Sequence, residues 1–88
     1  MNDDLTTLRK KVEDLDQKLL ALLQERTLSV RKIGKVKQSM GLPVENREFE
    51  MEKLEKYALA AESMGVNPEL VQNIFEEIFW DSKQQQGY

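Results

Sequence analysis

An all-α fold with three helices in each chain, one of them very long, is predicted by three features of the sequence. Apolar residues recur at spacings of three and four, and no segment shows sustained alternation of apolar and polar residues. The chain of 88 residues contains only two prolines and four glycines. Most of these helix-breaking residues fall in two short stretches, at 41–43 and 65–68, so they divide the chain into three helical segments. We expect residues 1–88 to form a single domain.

The first segment predicts a helix from about residue 4 to residue 40. Gly34 is the one helix-breaking residue inside it, and Asp3 or Asp4 can cap its start. The sequence Gly41-Leu42-Pro43 predicts its end, because glycine favours a helix C-terminus and proline cannot continue the helix. Its apolar stripe consists of Leu5, Leu8, Val12, Leu15, Leu19, Leu22, Arg26, Val30, Ile33 and Lys37.

Two shorter helices follow. Asn46 is a predicted N-cap for a helix from about Arg47 to Met64, and Gly65 ends that helix. Asn67-Pro68 then opens the third helix, with asparagine as the cap and proline at the first helical position, and this helix runs to about Gln86. The residues that we expect to be buried are Leu54, Tyr57, Ala61 and Met64 on the second helix and Val71, Ile74, Phe75, Ile78 and Phe79 on the third.

The length of the first helix predicts a dimer. About 37 residues at ~1.5 Å each give a rod of ~55 Å. A compact chain of this size has a diameter near ~30 Å, so the rest of the chain cannot cover the rod. A second copy related by a two-fold axis is the simplest way to bury the stripe, which predicts an intertwined helical homodimer.

Composition and charge exclude several classes of function. The formal net charge is −3, which argues against nucleic-acid binding, since such proteins are usually basic. The chain has no Cys and no His, so it lacks thiolate ligands and the commonest metal ligand and general base. We therefore expect no metal and no cofactor. No apolar run approaches the ~20 residues that span a bilayer, and the acidic N-terminus does not resemble a signal peptide, so we expect no membrane association and a cytoplasmic protein.

Polar residues interrupt the apolar stripes of all three helices. Arg26 and Lys37 fall on the first stripe, Glu50 on the second, and Ser82 and Gln86 on the third. A buried charge is costly without a partner, and Glu50 could be a simple structural ion-pair partner of Lys37 or Arg26. If the helices pack along their stripes, however, all five polar groups can converge at one place. Five interruptions in phase favour a binding site over separate structural explanations.

Arg9 lies beside the stripe and can join this site only from another chain. It is ~25 Å from Arg26 along the same helix, because 17 positions separate them. In an antiparallel pair of long helices, Arg9 of one chain can lie beside Arg26 of the other. Together with Lys37, these two arginines would give the pocket three cations. The pocket would also hold one carboxylate, one amide and one hydroxyl. It suits a small dianion and a reaction that needs positioning and charge stabilisation rather than proton transfer.

The sequence also resembles a known family, the all-helical chorismate mutases. The resemblance rests on Leu15-Asp16-x-x-Leu19-Leu20-x-Leu22-Leu23-x-x-Arg26, Ile33-Gly34-Lys35-x-Lys37, Gly41-Leu42-Pro43-Val44, and Ile74-Phe75-x-x-Ile78 with Ser82 and Gln86. It covers nearly the whole chain without insertion or deletion. It implies an intertwined dimer of three-helix protomers with shared active sites. It also implies the Claisen rearrangement of chorismate to prephenate in phenylalanine and tyrosine biosynthesis, a pericyclic step without a covalent enzyme intermediate.

The resemblance also implies roles for individual side chains. By resemblance, Arg9 of the partner chain and Arg26 hold substrate carboxylates, and Ser82 lies near a carboxylate. Lys37 and Gln86 donate hydrogen bonds to the ether oxygen of the breaking bond.

The second helix matches the family pattern less closely. By resemblance, Glu50 and the backbone near Asn46 meet the ring hydroxyl of the substrate. The family usually has Asp at position 46, and it usually has Arg where this chain has Phe49. A gapped alignment would instead make Glu48 the catalytic carboxylate, but Glu48 lies off the apolar stripe, so we favour Glu50.

Three alternatives remain open from the sequence. A non-enzymatic helical dimerisation module would be expected to have apolar residues in place of Arg26 and Lys37. An enzyme of the same fold that removes pyruvate from isochorismate would use the same kind of dianionic pocket. The chain could also be one domain of a larger bifunctional enzyme.

Overall fold

The computed structural model describes residues 2–87 and consists of three α-helices: α1 (Asn2–Met40), α2 (Arg47–Ser63) and α3 (Pro68–Gln85). The part of the chain described contains no β-strand. The predicted all-α class, with one helix much longer than the other two, is confirmed.

Helix α1 has 39 residues and ends as its glycine predicts. Gly41 has a φ of 68°, and the amide of Leu42 donates to the carbonyl of Lys37 at 2.8 Å. These two features are those of a Schellman motif, in which a left-handed residue lets the chain turn back onto the last carbonyl groups. The prediction that Asp3 or Asp4 caps α1 is wrong. The helix begins at Asn2, so both carboxylates lie inside its first turn, where they face the positive end of the helix dipole.

Both shorter helices begin at the predicted asparagines. The Asn46 side chain accepts a hydrogen bond from the amide of Phe49 at 3.1 Å, and Asn67 accepts one from the amide of Glu69 at 3.0 Å. Each bond satisfies an amide that has no partner within the first turn. Gly65, with a φ of 75°, follows the end of α2.

Helices α2 and α3 run antiparallel and share an aromatic cluster. The ring of Tyr57 lies 4.6 Å from that of Phe75 and 6.5 Å from that of Phe79, between centroids. Leu54 and Ala61 are buried beside this cluster. These residues were predicted to be buried from their spacing, although Tyr57 and Phe75 remain half-buried.

Two predictions of burial are wrong within the single chain. Met64 is 75% exposed, because it is the C-cap of α2 and lines an open groove between α2 and α3. Ile74 is 46% exposed, because it lies one turn before Ile78, where α3 meets α1.

Helix α3 crosses α1 at Gly34. This glycine is buried, and a Cβ atom added to it would lie only 2.9 Å from the Cα atom of Gln86. The absence of a side chain at position 34 therefore allows the end of α3 to lie directly against α1. This crossing places the last turn of α3 beside the polar residues of the α1 stripe.

The first part of α1 is not covered by the rest of the chain. Every residue from 3 to 25 is exposed, and the molecule measures 59 Å along its longest axis. The radius of gyration is 16.7 Å, against ~12 Å for a compact chain of this length. None of the helices described is long and apolar enough to cross a membrane.

Candidate active site

A cleft of about 200 Å³ lies between the second half of α1, the start of α2 and the end of α3. Its lining combines apolar side chains with several charged ones. The lining residues are Arg26, Val30, Ile33, Lys37, Val44, Asn46, Phe49, Glu50, Lys53, Phe79, Ser82, Lys83 and Gln86. Six of the seven side chains predicted for the site are therefore brought together by the fold of one chain.

Arg26 is held in the cleft by α3. One of its terminal nitrogens donates a short hydrogen bond to the hydroxyl of Ser82, which in turn donates to the carbonyl of Ile78 at 2.7 Å. The guanidinium carbon lies 5.8 Å from the centroid of the Phe79 ring. Burial lowers the pKa of Arg26 from its usual value, and electrostatic interactions with Tyr57 and Asp81 oppose that shift. The guanidinium remains charged, because arginine does not deprotonate in proteins.

Lys37 and Gln86 both keep unused hydrogen-bonding capacity. The ammonium of Lys37 donates to the carbonyl of Val44 at 3.0 Å, which fixes its position and leaves two of its three donors. The amide nitrogen of Gln86 donates to the carbonyl of Ser82 at 3.2 Å, which leaves one N–H. Gln86 is half-buried at the C-cap of α3 rather than part of a frayed tail, and its side-chain oxygen has no hydrogen-bond partner among residues 2–87.

Glu50 pairs with Lys83, a residue that the sequence did not indicate. The ammonium of Lys83 lies 3.1 Å from Oε1 of Glu50 and 3.0 Å from Oε1 of Glu45. The hydrogen bond to Glu45, followed by that to Glu50, raises the pKa of Lys83 against the effect of burial. The structural explanation that paired Glu50 with Lys37 or Arg26 is therefore wrong.

Oε1 of Glu50 keeps room for a further partner. It is close to Lys83, but it accepts no hydrogen bond of suitable geometry from residues 2–87, whereas Oε2 accepts one from Lys83 at 3.5 Å. Glu48, the alternative carboxylate, is exposed and lines a different groove between α2 and α3. The geometry thus supports Glu50 as the carboxylate of the cleft.

Lys53 is a second cation that the sequence did not indicate. Its ammonium lies 4.5 Å from the centroid of the Phe49 ring and 5.8 Å from that of Phe79. Burial lowers the pKa of Lys53, and the positive charges of Arg26 and Lys37 lower it further. Its position three residues after Glu50 puts it on the same helical face, which is the signal that could have identified it.

Arg9 is the one predicted site residue that lies outside the cleft. It is exposed on the first part of α1, and it does not belong to the lining of the cleft. A single chain therefore offers Arg26, Lys37, Lys53 and Lys83 as cations against the carboxylates of Glu50 and, behind Lys83, Glu45.

Such a cleft can bind an organic dianion and stabilise negative charge that develops on it. Its donors are fixed by other protein groups before any ligand enters, as electrostatic catalysis requires. Among residues 2–87, no group of three or more acidic, His or Cys side chains is placed to hold a metal ion.

Comparison with known proteins decides the family. The family model for chorismate mutase type II matches residues 8–87. The chain belongs to the chorismate mutase type II family. The family predicted from the sequence motifs is confirmed.

Relatives of known name agree with this assignment. The chain is 34% identical over 79 residues to a T-protein of Enterobacter agglomerans, which covers 90% of this chain and 21% of that protein. It is 34% identical over 79 residues to a bifunctional chorismate mutase/prephenate dehydratase of Aquifex aeolicus, covering 86% of this chain and 22% of that protein. It is 32% identical over 50 residues to a chorismate mutase of Methanocaldococcus jannaschii, covering 57% of this chain and 50% of that protein.

The chain spans about a fifth of the length of the T-protein and of the bifunctional enzyme. No solved structure gives a significant match.

Proposed function

We propose that this chain is a chorismate mutase that rearranges chorismate to prephenate without a cofactor or metal. The observation that carries the proposal is the convergence of Arg26, Lys37 and Gln86 from two helices on one cleft, in a chain of the chorismate mutase type II family. Chorismate is a dianion, and the cleft of one chain has an excess of two positive charges over the carboxylates of Glu50 and Glu45.

The reaction breaks a carbon–oxygen bond and forms a carbon–carbon bond within one molecule. It needs no proton transfer, which fits a site with neither His nor Cys. As the carbon–oxygen bond stretches, negative charge develops on the ether oxygen. In the proposed mechanism, the free donors of Lys37 and Gln86 bind this oxygen more strongly in the transition state than in the ground state, which is the condition for a faster reaction.

The remaining side chains hold the substrate in its reactive conformation. Arg26 binds one carboxylate, with Ser82 beside it to orient the guanidinium. Glu50 accepts a hydrogen bond from the ring hydroxyl through its available Oε1, and Lys83 keeps that carboxylate charged and oriented. Asn46 contributes through its backbone near the same hydroxyl, because its side chain already caps α2.

Arg9 enters this proposal from a second chain. The stripe residues along the first part of α1 are 47–60% exposed, namely Leu5, Leu8, Val12, Leu15, Leu19 and Leu22. Pairing of two long helices would bury this stripe and bring Arg9 of one chain towards the cleft of the other. We propose a homodimer with two shared active sites, with no nucleic-acid partner and no membrane partner, and we expect it in the cytoplasm.

The activity is tested by adding chorismate to the purified protein. We expect loss of chorismate absorbance, a product of identical mass, and conversion of that product to phenylpyruvate in acid. The rate should be unchanged by a metal chelator. Release of pyruvate would favour the isochorismate lyase alternative, and the absence of any turnover would favour a non-enzymatic helical module.

Sharing of the site is tested with mixed dimers. Arg9→Ala and Arg26→Ala should each be nearly inactive, because each change removes one carboxylate contact from both sites. Co-refolding of the two variants should produce mixed dimers with one intact site and therefore recover activity. Mixed dimers that form but remain inactive would show that Arg9 does not act across the interface.

A further inference from the structure

Two lysines of α2 and α3 line the cleft in different electrostatic surroundings. Lys83 lies within 3.1 Å of carboxylate oxygens of Glu45 and Glu50. For Lys53, no carboxylate of residues 2–87 lies within the 4.0 Å of an ion pair. Its charged neighbours at the cleft, Arg26 and Lys37, are also cations.

Aromatic rings hold the ammonium of Lys53 in the cleft. It lies 4.5 Å from the centroid of the Phe49 ring and 5.8 Å from that of Phe79. A cation over an aromatic face is attracted by the electron density of the ring, which offsets part of the cost of removing it from water. The rings do not neutralise the charge, so the field of Lys53 remains directed into the cleft.

Three cations that face one partly buried space repel one another. Binding of an anion there relieves this repulsion, and the apolar walls strengthen the attraction, because the local dielectric constant is lower than that of water. Lys56, on the same helix, is exposed and does not line the cleft. Lys53 and Lys56 therefore differ in their access to a ligand in the cleft, although both carry the same charge.

We propose that Lys53 is a substrate-binding residue whose ammonium, supported by the Phe49 ring, binds a carboxylate of the dianionic substrate. This assignment rests on the proposed function for the identity of the substrate. Phe49 then acts as a positioning residue. Its ring lies 4.5 Å from the Lys53 ammonium, and both residues line the cleft, so the ring fixes where this cation meets a ligand.

The test compares Lys53→Met with Lys56→Met. Each change removes one positive charge from α2 and keeps an unbranched side chain, and only Lys53 faces the cleft. The kcat/KM for chorismate should fall by roughly 10- to 100-fold in Lys53→Met, as expected for loss of a charge-assisted contact, and by less than about twofold in Lys56→Met. Lys53→Arg should retain most of the activity, because it keeps the cation.

A second measurement separates this proposal from the proposed reaction. Calorimetry with a non-reacting bicyclic ether dicarboxylate measures dianion binding without turnover. We expect Lys53→Met to weaken this binding by a similar factor and to reduce its dependence on salt concentration, since one ionic contact is lost. Circular dichroism and urea unfolding should show that the variants are folded.

The outcomes are distinct. If the wild type rearranges chorismate and Lys53→Met behaves like Lys56→Met in both assays, the assignment of Lys53 is overturned while the proposed function stands. If the wild type does not rearrange chorismate but binds the dicarboxylate in a manner that depends on Lys53, the reaction is wrong and the anion-binding role stands. A wild type that neither reacts nor binds overturns both.

Discussion

Gly34→Ala should damage catalysis without unfolding the protein, because Gly34 is where α3 lies against α1. The added Cβ atom would lie 2.9 Å from Cα of Gln86 and 3.2 Å from its Cβ and Cγ atoms. Favourable contacts between carbon atoms are ~3.5–4.0 Å, so the last turn of α3 must move by at least ~0.6 Å. That turn carries Gln86, one of the two proposed donors to the ether oxygen.

Two opposing effects keep the change in stability small. Alanine is favoured over glycine inside a helix by ~1 kcal/mol. Overpacking of a close contact costs ~1–3 kcal/mol. We therefore expect the free energy of unfolding to fall by ~0–2 kcal/mol. Displacement of a catalytic group by a fraction of an ångström to 1 Å can cost ~10²-fold in rate, so kcat should fall by about that factor.

The assay combines kcat for chorismate, urea unfolding and a cycle with Gln86→Ala. If Gly34→Ala acts by displacing the Gln86 side chain, it should have little further effect on kcat in the Gln86→Ala background. A Gly34→Ala enzyme with wild-type kcat would refute the reasoning. The same loss of kcat in both backgrounds would show that the substitution acts elsewhere, and light scattering would reveal whether it disrupts the oligomer.

Three further predictions concern charges and donors at the cleft. Arg26→Leu should abolish activity, while the free energy of unfolding stays constant or rises by ~1 kcal/mol. Stability is kept because Ser82 still donates to the Ile78 carbonyl and an apolar residue continues the stripe. A variant that is destabilised in urea unfolding but active in turnover assays would contradict this. Gln86→Glu should be poor at neutral pH and recover as the pH falls towards ~4.3, because only the protonated carboxyl donates a hydrogen bond, whereas the wild type should give a flat rate profile there. Burial and the charges of Arg26 and Lys37 lower the pKa of Lys53, and its positive charge is lost as the pH rises through that pKa. KM should therefore begin to rise below the ordinary lysine pKa of ~10.4. Lys53→Met should lack this rise in KM.

Helix boundaries were predictable because each depends on a few local residues. Asn46 and Asn67 cap α2 and α3 through their own side chains, and Gly41 has the positive φ that ends α1. The start of α1 was not predictable in this way, since Asp3 and Asp4 are equally suited to capping and to the first turn. The burial of a stripe residue was less predictable. It depends on whether another element, distant in sequence or in a second chain, packs against that residue, and spacing alone does not give this.

The residues of the candidate site were likewise predictable only where the local sequence pattern marks them. Arg26, Lys37 and Glu50 were identified because a charge on an apolar stripe conflicts with the local pattern, and such conflicts often mark functional positions. Lys53 and Lys83 replace no residue of the predicted stripes, so the conflict that marks the other residues is missing. The three-residue spacing from Glu50 is the one sequence signal for Lys53. Their roles follow from contacts between helices: Lys83 reaches Glu45 and Glu50, and the Lys53 ammonium lies over a ring of α2 and a ring of α3.

A crystal structure of the protein with the bicyclic dicarboxylate bound tests the central proposal most directly. We predict a two-fold dimer in which each cleft holds one ligand, with its ether oxygen within hydrogen-bonding distance of Lys37 and Gln86. Its carboxylates should contact Arg26, Lys53 and the Arg9 side chain of the other chain. A ligand bound elsewhere, or a cleft in which Lys37 and Gln86 do not reach the ether oxygen, would contradict the proposed site and its mechanism.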